Sequence, residues 1–125
     1  MIRTKRAYDP PDRGDGYRVL VDRLWPRGLT KARAALGHWA RDVAPSPALR
    51  AWFAHDPDRF QEFADRYRLE LTAAPAREIL SDLRRRSAMG MVTLVYAARD
   101  EDHNSAVLLR DLLQAPPAGG RRTPR

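Results

Sequence analysis

The sequence of 125 residues contains no cysteine, which excludes disulfide bridges, thiol nucleophiles and zinc sites with cysteine ligands. Any chemistry therefore depends on histidine, acidic, serine or tyrosine side chains. A phosphate loop, the glycine fingerprint of dinucleotide-binding folds and the Gly-x-Ser-x-Gly turn of serine hydrolases are missing as well. The spacing of Asp22, Asp100, Asp102 and His103 matches no known metal-ligand motif. The sequence thus predicts no metal and no cofactor.

Long apolar runs are also missing. None approaches the roughly 20 residues that a membrane-spanning helix needs, and the first 14 residues lack the apolar centre of a secretion signal. These two absences predict a cytoplasmic protein that has no membrane partner.

Lysine is scarce, with 2 lysines against 21 arginines, and the formal net charge is +7. Three of the arginines follow Leu113 in a segment without acidic residues, so the rest of the chain carries 20 basic against 16 acidic groups. A net charge of this size affects solubility and the electrostatic steering of ligands, and it does not by itself identify a binding partner. A nucleic-acid partner is therefore an alternative and is not favoured.

The length suits one domain with a modest core. We assign residues 1–113 to a single α/β domain. Residues 114–125, "QAPPAGGRRTPR", combine proline, glycine and arginine with few apolar side chains. This composition predicts a disordered basic tail.

Three segments are rich in β-forming residues: Ile2–Ala7, Tyr17–Leu24 and Met91–Ala98. The last is continuously apolar, which is typical of a strand covered on both faces. The segment "HWARDVAPSP" is open between an extended stretch and a short fourth strand. Helical patterns separate these segments, so we predict an α/β fold with a small, mostly parallel sheet of three to four strands and about five flanking helices.

Helix starts are signalled by capping residues and by prolines at first helical positions. The five predicted starts are Thr30 (for a helix through Leu36), Ser46-Pro47, Asp56-Pro57, Pro75, and either Asp100 or Asp102 for a last helix through Leu113. Between them, aromatic residues recur at spacings of three and four, which predicts core-facing stripes. These stripes are Trp52-Phe53 and Phe60-Phe63-Tyr67. An alternative is that they form part of a dimer interface, so both a monomer and a homodimer remain open.

The loops after the three predicted strands carry an unusual density of polar side chains. Because carboxyl ends of parallel strands share one edge of a sheet, where ligands bind in this architecture, we expect these residues to gather there. They are Asp9 after the first strand, Asp22, Arg23, Trp25 and Arg27 after the second, and Arg99, Asp100, His103 and Asn104 after the third. Such a group predicts an anion-recognising pocket, for a phosphate or a nucleotide-like molecule.

Within this pocket the residue types suggest roles. Arg23, Arg27 and Arg99 would hold the anion through paired N–H donors. If the protein is an enzyme acting on a small molecule, Asp22 and His103 are its acid-base candidates. Whether it is an enzyme stays open, since a plain alternative is that Asp22 and an arginine form a buried ion pair that only fixes the loops.

A second alternative class is nucleic-acid binding through Arg84, Arg85 and Arg86 with the arginines of the tail. The run also suits the last turn of a helix, where cations interact favourably with the helix dipole. The position of the arginine run is therefore explained without a nucleic-acid partner.

Four strings, "YDPP", "VDRLWPRG", "APSPALRAWFAHDPDRFQEFADRYRLEL" and "VTLVYAARDEDHNSAVLL", resemble the YeaO-like branch of the domain of unknown function 488 family. The resemblance extends from Ile2 to Leu113. It implies a small α/β fold and a bacterial or archaeal cytoplasmic protein, and it supplies no reaction. A longer branch of that family carries a Cys-His-Arg group where this chain has His103-Asn104, which implies that thiol chemistry is not available here.

Overall fold

The computed structural model describes residues 1–115, which form one parallel sheet and its covering helices. The sheet has four strands in the order β1-β4-β2-β3, all parallel to their neighbours. The strands are β1 (Ile2–Arg6), β2 (Tyr17–Leu20), β3 (His38–Trp39) and β4 (Val92–Tyr96). The five α-helices are α1 (Lys31–Ala34), α2 (Pro47–Phe53), α3 (Phe60–Glu70), α4 (Ala76–Met89) and α5 (Ser105–Gln114). The predicted α/β fold is confirmed.

Strand β4 lies at the centre of the sheet, and all five of its residues are buried. It pairs with β1 on one side, where Ile2 lies opposite Val92, and with β2 on the other, where Tyr17 lies opposite Val92. A strand with neighbours on both edges and cover on both faces is mainly apolar, and the hydroxyl of its one buried threonine, Thr93, donates to the Asp15 carbonyl at 2.6 Å. The continuous apolar run is therefore explained by the position of β4.

The two faces of the sheet have separate cores, because successive side chains of a strand point to opposite sides. On one face Val19 and Leu94 belong to the main core, to which α2, α3, α4 and α5 contribute. On the other face a smaller cluster forms around Leu20 and Val95. It is completed by Ala7 and by the partly buried residues Trp25, Leu29, Leu36 and Trp39.

Three of the predicted helix starts have the expected capping contacts. The Thr30 hydroxyl oxygen accepts a hydrogen bond from the Arg33 backbone N–H at 3.1 Å. The Ser46 hydroxyl oxygen accepts a hydrogen bond from the Leu49 backbone N–H at 3.1 Å, with Pro47 in the first turn. The Asp56 carboxylate accepts one from the Asp58 N–H at 3.0 Å. Pro57 then opens a short 3₁₀ turn that leads directly into α3.

Three predicted boundaries were wrong. Strand β2 ends at Leu20, not at Leu24, because neither neighbouring strand extends far enough to pair with residues 22–24. Helix α1 ends at Ala34, not at Leu36, because Ala35 adopts a left-handed conformation with a φ of 48°. The last helix begins after Asn104, so neither Asp100 nor Asp102 is its capping residue.

The aromatic stripes of α2 and α3 pack within the chain's own core. The ring of Phe63 stacks on Phe53 with centroids 4.2 Å apart, and Tyr67 is fully buried. Trp52 and Phe60 are partly buried and pack against the same core. Three of the five stripe residues, Phe53, Phe63 and Tyr67, are thus buried in the chain's own core, and the choice between a monomer and a homodimer stays a prediction.

The chain's C-terminal end was predicted as a tail from residue 114. Helix α5 includes Gln114, whose side-chain amide donates to the Ile2 carbonyl at 3.2 Å. Residues 116–125 of the predicted tail lie outside the described residues. In the part that the structure describes, none of the helices is both long enough and apolar enough to cross a membrane.

A buried ion cluster lies on the same face of the sheet as Leu20 and Val95. Its centre is Asp15, which is fully buried and accepts hydrogen bonds from Arg18 at 2.6 Å, from Lys5 at 3.1 Å, and from Arg3. Burial by itself raises the pKa of the Asp15 carboxyl, but the Asp12 backbone N–H and these three cations outweigh it and hold that pKa far below its usual range. The ion pairs of Asp15 thus connect β1, which carries Arg3 and Lys5, with β2, which carries Arg18.

Candidate functional site

A cavity of about 300 Å³ opens at the carboxyl ends of β2 and β4. Its charged lining residues are Asp22, Arg23, Arg27 and Arg50, and its other polar ones are His55, Tyr96, Asn104 and Ser105. The apolar lining is supplied by Leu24, Trp25, Pro26, Ala44, Pro45, Phe53, Phe63, Ala97 and Ala98. The cavity therefore lies where ligands bind in open parallel sheets.

Asp22 links the two strands that end at the cavity. Its Oδ2 atom accepts a hydrogen bond from the Ala97 backbone N–H at 2.9 Å, just beyond the end of β4. Burial raises the pKa of the Asp22 carboxyl above its ordinary value, although the Ala97 N–H and the positive charge of Arg50 oppose the rise. The carboxylate is thus held in place and is partly removed from water.

Three arginines reach the cavity from two parts of the chain. Arg23 and Arg27 follow β2, and Arg50 lies on α2. The Nη2 atom of Arg23 donates to the carbonyls of Ala44 and Pro45 at 3.3 and 3.4 Å, while Arg27 and Arg50 are exposed. Within residues 1–115, none of these three guanidinium groups forms a salt bridge.

Several other surface arginines lie beside acidic partners. Arg86 contacts Asp82 at 2.9 Å, and Arg66 contacts Glu62 one helical turn away. The cavity instead collects three guanidinium groups around the single carboxylate of Asp22. Its local charge is positive, and that charge attracts small anions.

The loop that positions Trp25 and Arg27 is held by its own hydrogen bonds. The indole N–H of Trp25 donates to the Leu29 carbonyl at 2.6 Å, and the Tyr8 hydroxyl donates to the Arg27 carbonyl at 2.9 Å. The Trp25 ring also meets the Trp39 ring edge-on, with centroids 5.4 Å apart. These contacts fix the wall of the cavity before any ligand arrives.

Asn104 forms the end of the cavity at the start of α5. Its Oδ1 atom accepts a hydrogen bond from the Val107 N–H at 3.0 Å, and its Nδ2 donates to the Asp100 carbonyl at 2.8 Å. Asn104 is the N-cap of the helix, and the cavity-lining Ser105 is the first helical residue. Both polar groups of the Asn104 side chain are therefore occupied by the protein itself.

Asp100 organises the turn before α5. Its Oδ1 atom accepts hydrogen bonds from the backbone N–H groups of Asp102 and His103 at 2.9 and 3.0 Å. The Asp102 N–H, with the N–H and the ring of His103, lowers the pKa of the Asp100 carboxyl. This local turn is what moves the helix start two to four residues beyond the predicted capping positions.

The structure brings together only part of the predicted site. Asp22, Arg23, Trp25, Arg27 and Asn104 line the cavity, whereas Asp9, Arg99, Asp100 and His103 are not among its lining residues in the described chain. The ring of His103 lies 3.0 Å from the Asp100 carboxylate and meets the Phe60 ring edge-on, with centroids 5.1 Å apart. The two acid-base candidates, Asp22 and His103, therefore do not share the cavity.

The other two predicted residues lie in exposed turns. Asp9 follows β1, and its backbone N–H donates to the Arg6 carbonyl at 3.1 Å. Arg99 follows β4 and is exposed. The carboxyl ends of β1 and β4 are adjacent, but the turns after them lead these two side chains away from the cavity.

Four polar or charged cavity residues were missed by reasoning from the sequence: Arg50, His55, Tyr96 and Ser105. Arg50 lies three residues before Phe53, so the helical period that identified Phe53 as core-facing could also have indicated Arg50. His55 was interpreted as structural and outside the site, but it lines the cavity. It has a φ of 56° directly after Ala54 with a φ of 48°, and two consecutive left-handed residues that are not glycine leave no recognisable sequence signal.

Comparisons with known proteins give one family. Residues 1–119 match the family model described as the inactive DUF488-N3 subclade. The chain is 45% identical over 112 residues to the uncharacterised protein Rv3073c of Mycobacterium tuberculosis, covering 90% of this chain and 92% of that relative. It is 37% identical over 115 residues to the uncharacterised protein YeaO of Escherichia coli, covering 91% of this chain and 97% of that relative. No solved structure matches the chain.

Proposed function

Because the chain belongs to the DUF488 family and matches its inactive N3 subclade over residues 1–119, we propose that it binds a small anionic molecule without transforming it. The binding site is the cavity at the carboxyl ends of β2 and β4. The predicted resemblance to a YeaO-like DUF488 protein is confirmed, and the anion site is our inference from the geometry of the cavity.

One observation carries this proposal: three arginines without a carboxylate partner in the described chain surround one cavity. Unpaired cations that are held close together repel one another. An anion that accepts hydrogen bonds from their N–H groups removes this repulsion and adds charge-assisted contacts. The loop contacts of Trp25 and Tyr8 fix part of the site in advance, which lowers the ordering cost of binding.

Binding is favoured over catalysis by what surrounds Asp22. Of the two predicted acid-base residues, His103 is engaged with Asp100 outside the cavity. His55 does line the cavity, but among the described residues no hydrogen bond joins its ring to Asp22 or to Ser105, so no acid-base pair is assembled there. The Ser105 hydroxyl forms no hydrogen bond to a histidine or a carboxylate among the described residues, so no base is placed to activate it. The chain also lacks cysteine.

The nucleic-acid alternative has less support. Arg84 donates to the Leu112 carbonyl at 3.2 Å, while Arg85 and Arg86 are both paired with Asp82. This run is therefore largely engaged within the fold. The arginines of the tail lie outside the described residues.

Anion-dependent stabilisation tests the proposal. We expect inorganic phosphate at ten times its Kd to raise the Tm of the wild-type protein by about 3–6 °C, since a ligand that binds only the folded state stabilises it by mass action. Arg50→Ala should abolish most of this rise with little cost to the fold, because Arg50 is an exposed helical position where alanine is favourable.

The matched control is Arg33→Ala, which removes the same charge from the exposed helix α1, away from the cavity. It should leave the phosphate response unchanged. Equal loss in both variants would show a general charge effect, and no rise with phosphate in the wild type would remove the proposal.

A further inference from the structure

We infer that the ligand of this cavity is a phosphate monoester that also carries a hydroxyl group, such as a sugar phosphate or a nucleoside monophosphate. This inference rests on the proposed function, because it specifies which anion the same cavity takes. Charge and the number of donors lead to the phosphate monoester, and the free oxygen of Asp22 leads from there to the hydroxyl group.

The charges of the cavity match a dianion. Three guanidinium groups and one carboxylate leave an excess of two positive charges among the lining residues. A phosphate monoester carries about −1.5 to −2 at neutral pH, because its second pKa is about 6. A monocarboxylate, a phosphodiester or a zwitterion brings less negative charge and leaves more of the positive charge of the lining unpaired.

The donors of the cavity match the oxygens of a terminal phosphate. Arg23, Arg27 and Arg50 each present a planar set of N–H donors, and such sets pair well with phosphate oxygens. A monoester has three unesterified oxygens, one for each guanidinium, whereas a diester has two. A ligand that engages all three arginines is therefore best supplied by a terminal phosphate group.

The carboxylate of Asp22 is the reason to expect a hydroxyl group on the ligand. Its Oδ2 atom is bonded to the Ala97 N–H, but its Oδ1 atom accepts no hydrogen bond from residues 1–115. A phosphate placed near this carboxylate would repel it unless another part of the ligand donates a hydrogen bond to it. A hydroxyl group makes that bond without changing the ligand's charge, whereas an ammonium group would cancel one of the two negative charges that the arginines require.

The rest of the lining fits the carbon skeleton of such a molecule. Phe53 and Phe63 are 5% and 2% exposed and are stacked beside the polar groups. Apolar surface of this kind suits a sugar ring or a short carbon chain. A volume of about 300 Å³ is at the lower end of the range for ligand pockets, which favours one phosphorylated unit over a dinucleotide.

The experiment compares two ligands with the same three-carbon skeleton, glycerol 3-phosphate and n-propyl phosphate, by calorimetry at pH 7.5. Only the first has hydroxyl groups. We expect the wild-type protein to bind glycerol 3-phosphate about tenfold more tightly, since its hydroxyl group forms a hydrogen bond with the charged carboxylate of Asp22. Asp22→Asn should reduce this preference to about threefold or less, because the amide retains an acceptor for Ala97 but offers the ligand hydroxyl a neutral partner, whose hydrogen bond is weaker than one to a carboxylate.

Two further arms test the phosphate itself. Succinate, a dianion without a phosphate group, should bind at least about tenfold more weakly than n-propyl phosphate. The affinity for n-propyl phosphate should also fall as the pH drops below about 6, where the monoester loses its second charge. Tight succinate binding or a flat pH profile would overturn the assignment of a phosphate monoester.

The outcomes separate this inference from the proposed function. If inorganic phosphate binds in an Arg50-dependent manner but the two three-carbon ligands bind equally to the wild type, the cavity is an anion site and the hydroxyl inference is wrong. If neither phosphate nor any of the esters binds, the proposed function itself is wrong. If Asp22→Asn fails to fold, the comparison of the two three-carbon ligands in the wild-type protein still tests the hydroxyl inference.

Discussion

The carboxylate of Asp22 accepts a hydrogen bond from the backbone N–H of Ala97 at 2.9 Å. The two residues are 75 positions apart in the chain, and each follows a strand of the same sheet. The hydrogen bond connects the segments that follow β2 and β4, beside the cavity. One oxygen of this side chain therefore has a structural role, and the other is left for a ligand.

This division of the Asp22 carboxylate predicts different effects for two substitutions. Asp22→Ala leaves the Ala97 N–H without its acceptor and should lower the free energy of unfolding by about 1–3 kcal/mol. Asp22→Asn preserves an acceptor and should cost less than half as much. Urea denaturation of both variants measures the difference, and equal losses would mean that the hydrogen bond does not stabilise the fold.

The Asp15 cluster predicts a stability that depends on pH. The pKa of the Asp15 carboxyl lies far below its ordinary value of 3.8 in the folded protein. The stabilisation is therefore fully present above that ordinary value and is lost as the pH falls below it, toward the folded-state pKa. We expect the slope of unfolding free energy against pH to be steep below pH 4.

Removing the carboxylate tests the same cluster at neutral pH. Asp15→Ala leaves the buried Arg18 without its carboxylate partner, with only the Ala34 carbonyl as an acceptor, and should cost about 3–5 kcal/mol. Asp12→Ala is a suitable control, because its carboxylate is largely exposed and shares the same cations Arg3 and Lys5. A small loss in Asp15→Ala with an unchanged acid slope would show that the cluster contributes little.

The start of α5 gives a prediction about capping. Asn104→Ala removes the side-chain oxygen that accepts from Val107 and should destabilise the protein by about 1 kcal/mol. Asn104→Asp keeps a capping oxygen but replaces the N–H donor to the Asp100 carbonyl by an acceptor, so it should recover only part of this loss. Asp102→Ala should change stability by less than about 0.5 kcal/mol, because its side chain caps nothing. Thermal unfolding of the three variants distinguishes the two capping positions, and a larger loss at Asp102 would contradict the structure.

Two glycines with positive φ predict unequal costs for the same substitution. Gly16 has a φ of 61°, and a Cβ atom there would collide with the carbonyl of Met91. Gly28 has a φ of 77°, with open space around the position of a Cβ atom. We expect Gly28→Ala to cost about 1 kcal/mol from backbone strain alone.

Gly16→Ala adds the steric clash to the same strain. It should cost at least about 1 kcal/mol more than Gly28→Ala, since backbone atoms must move to accommodate the methyl group. Denaturation midpoints of the two variants, measured side by side, provide the comparison. Similar midpoints would contradict this expectation and show that the backbone around Gly16 rearranges at little cost.

Features that depend on neighbouring residues were predicted well from the sequence. The apolar run of β4 and the Ser-Pro and Asp-Pro helix starts each express a local rule, and the structure contains all three. The gathering of Asp22, Arg23 and Arg27 at one cavity also followed, because it requires only that β2 be parallel to its neighbours.

Features that depend on distant contacts were not predicted. The end of β2 is determined by how far β3 and β4 extend, and the sequence of β2 does not contain that information. The direction of His103 follows from the turn around Asp100 and from Phe60 on a different helix. Arg50 and His55 reach the site only because α2 ends beside the edge of the sheet.

The order of the strands has a consequence for how the chain folds. Strand β1 pairs only with β4, and the opposed residues Ile2 and Val92 are separated by most of the described chain. During synthesis, β1 therefore has no partner until the last third of the protein has left the ribosome, whereas β2 and β3 can pair early. Such non-local pairing slows folding. The cavity, which needs the ends of both β2 and β4, is among the last features of the molecule to form.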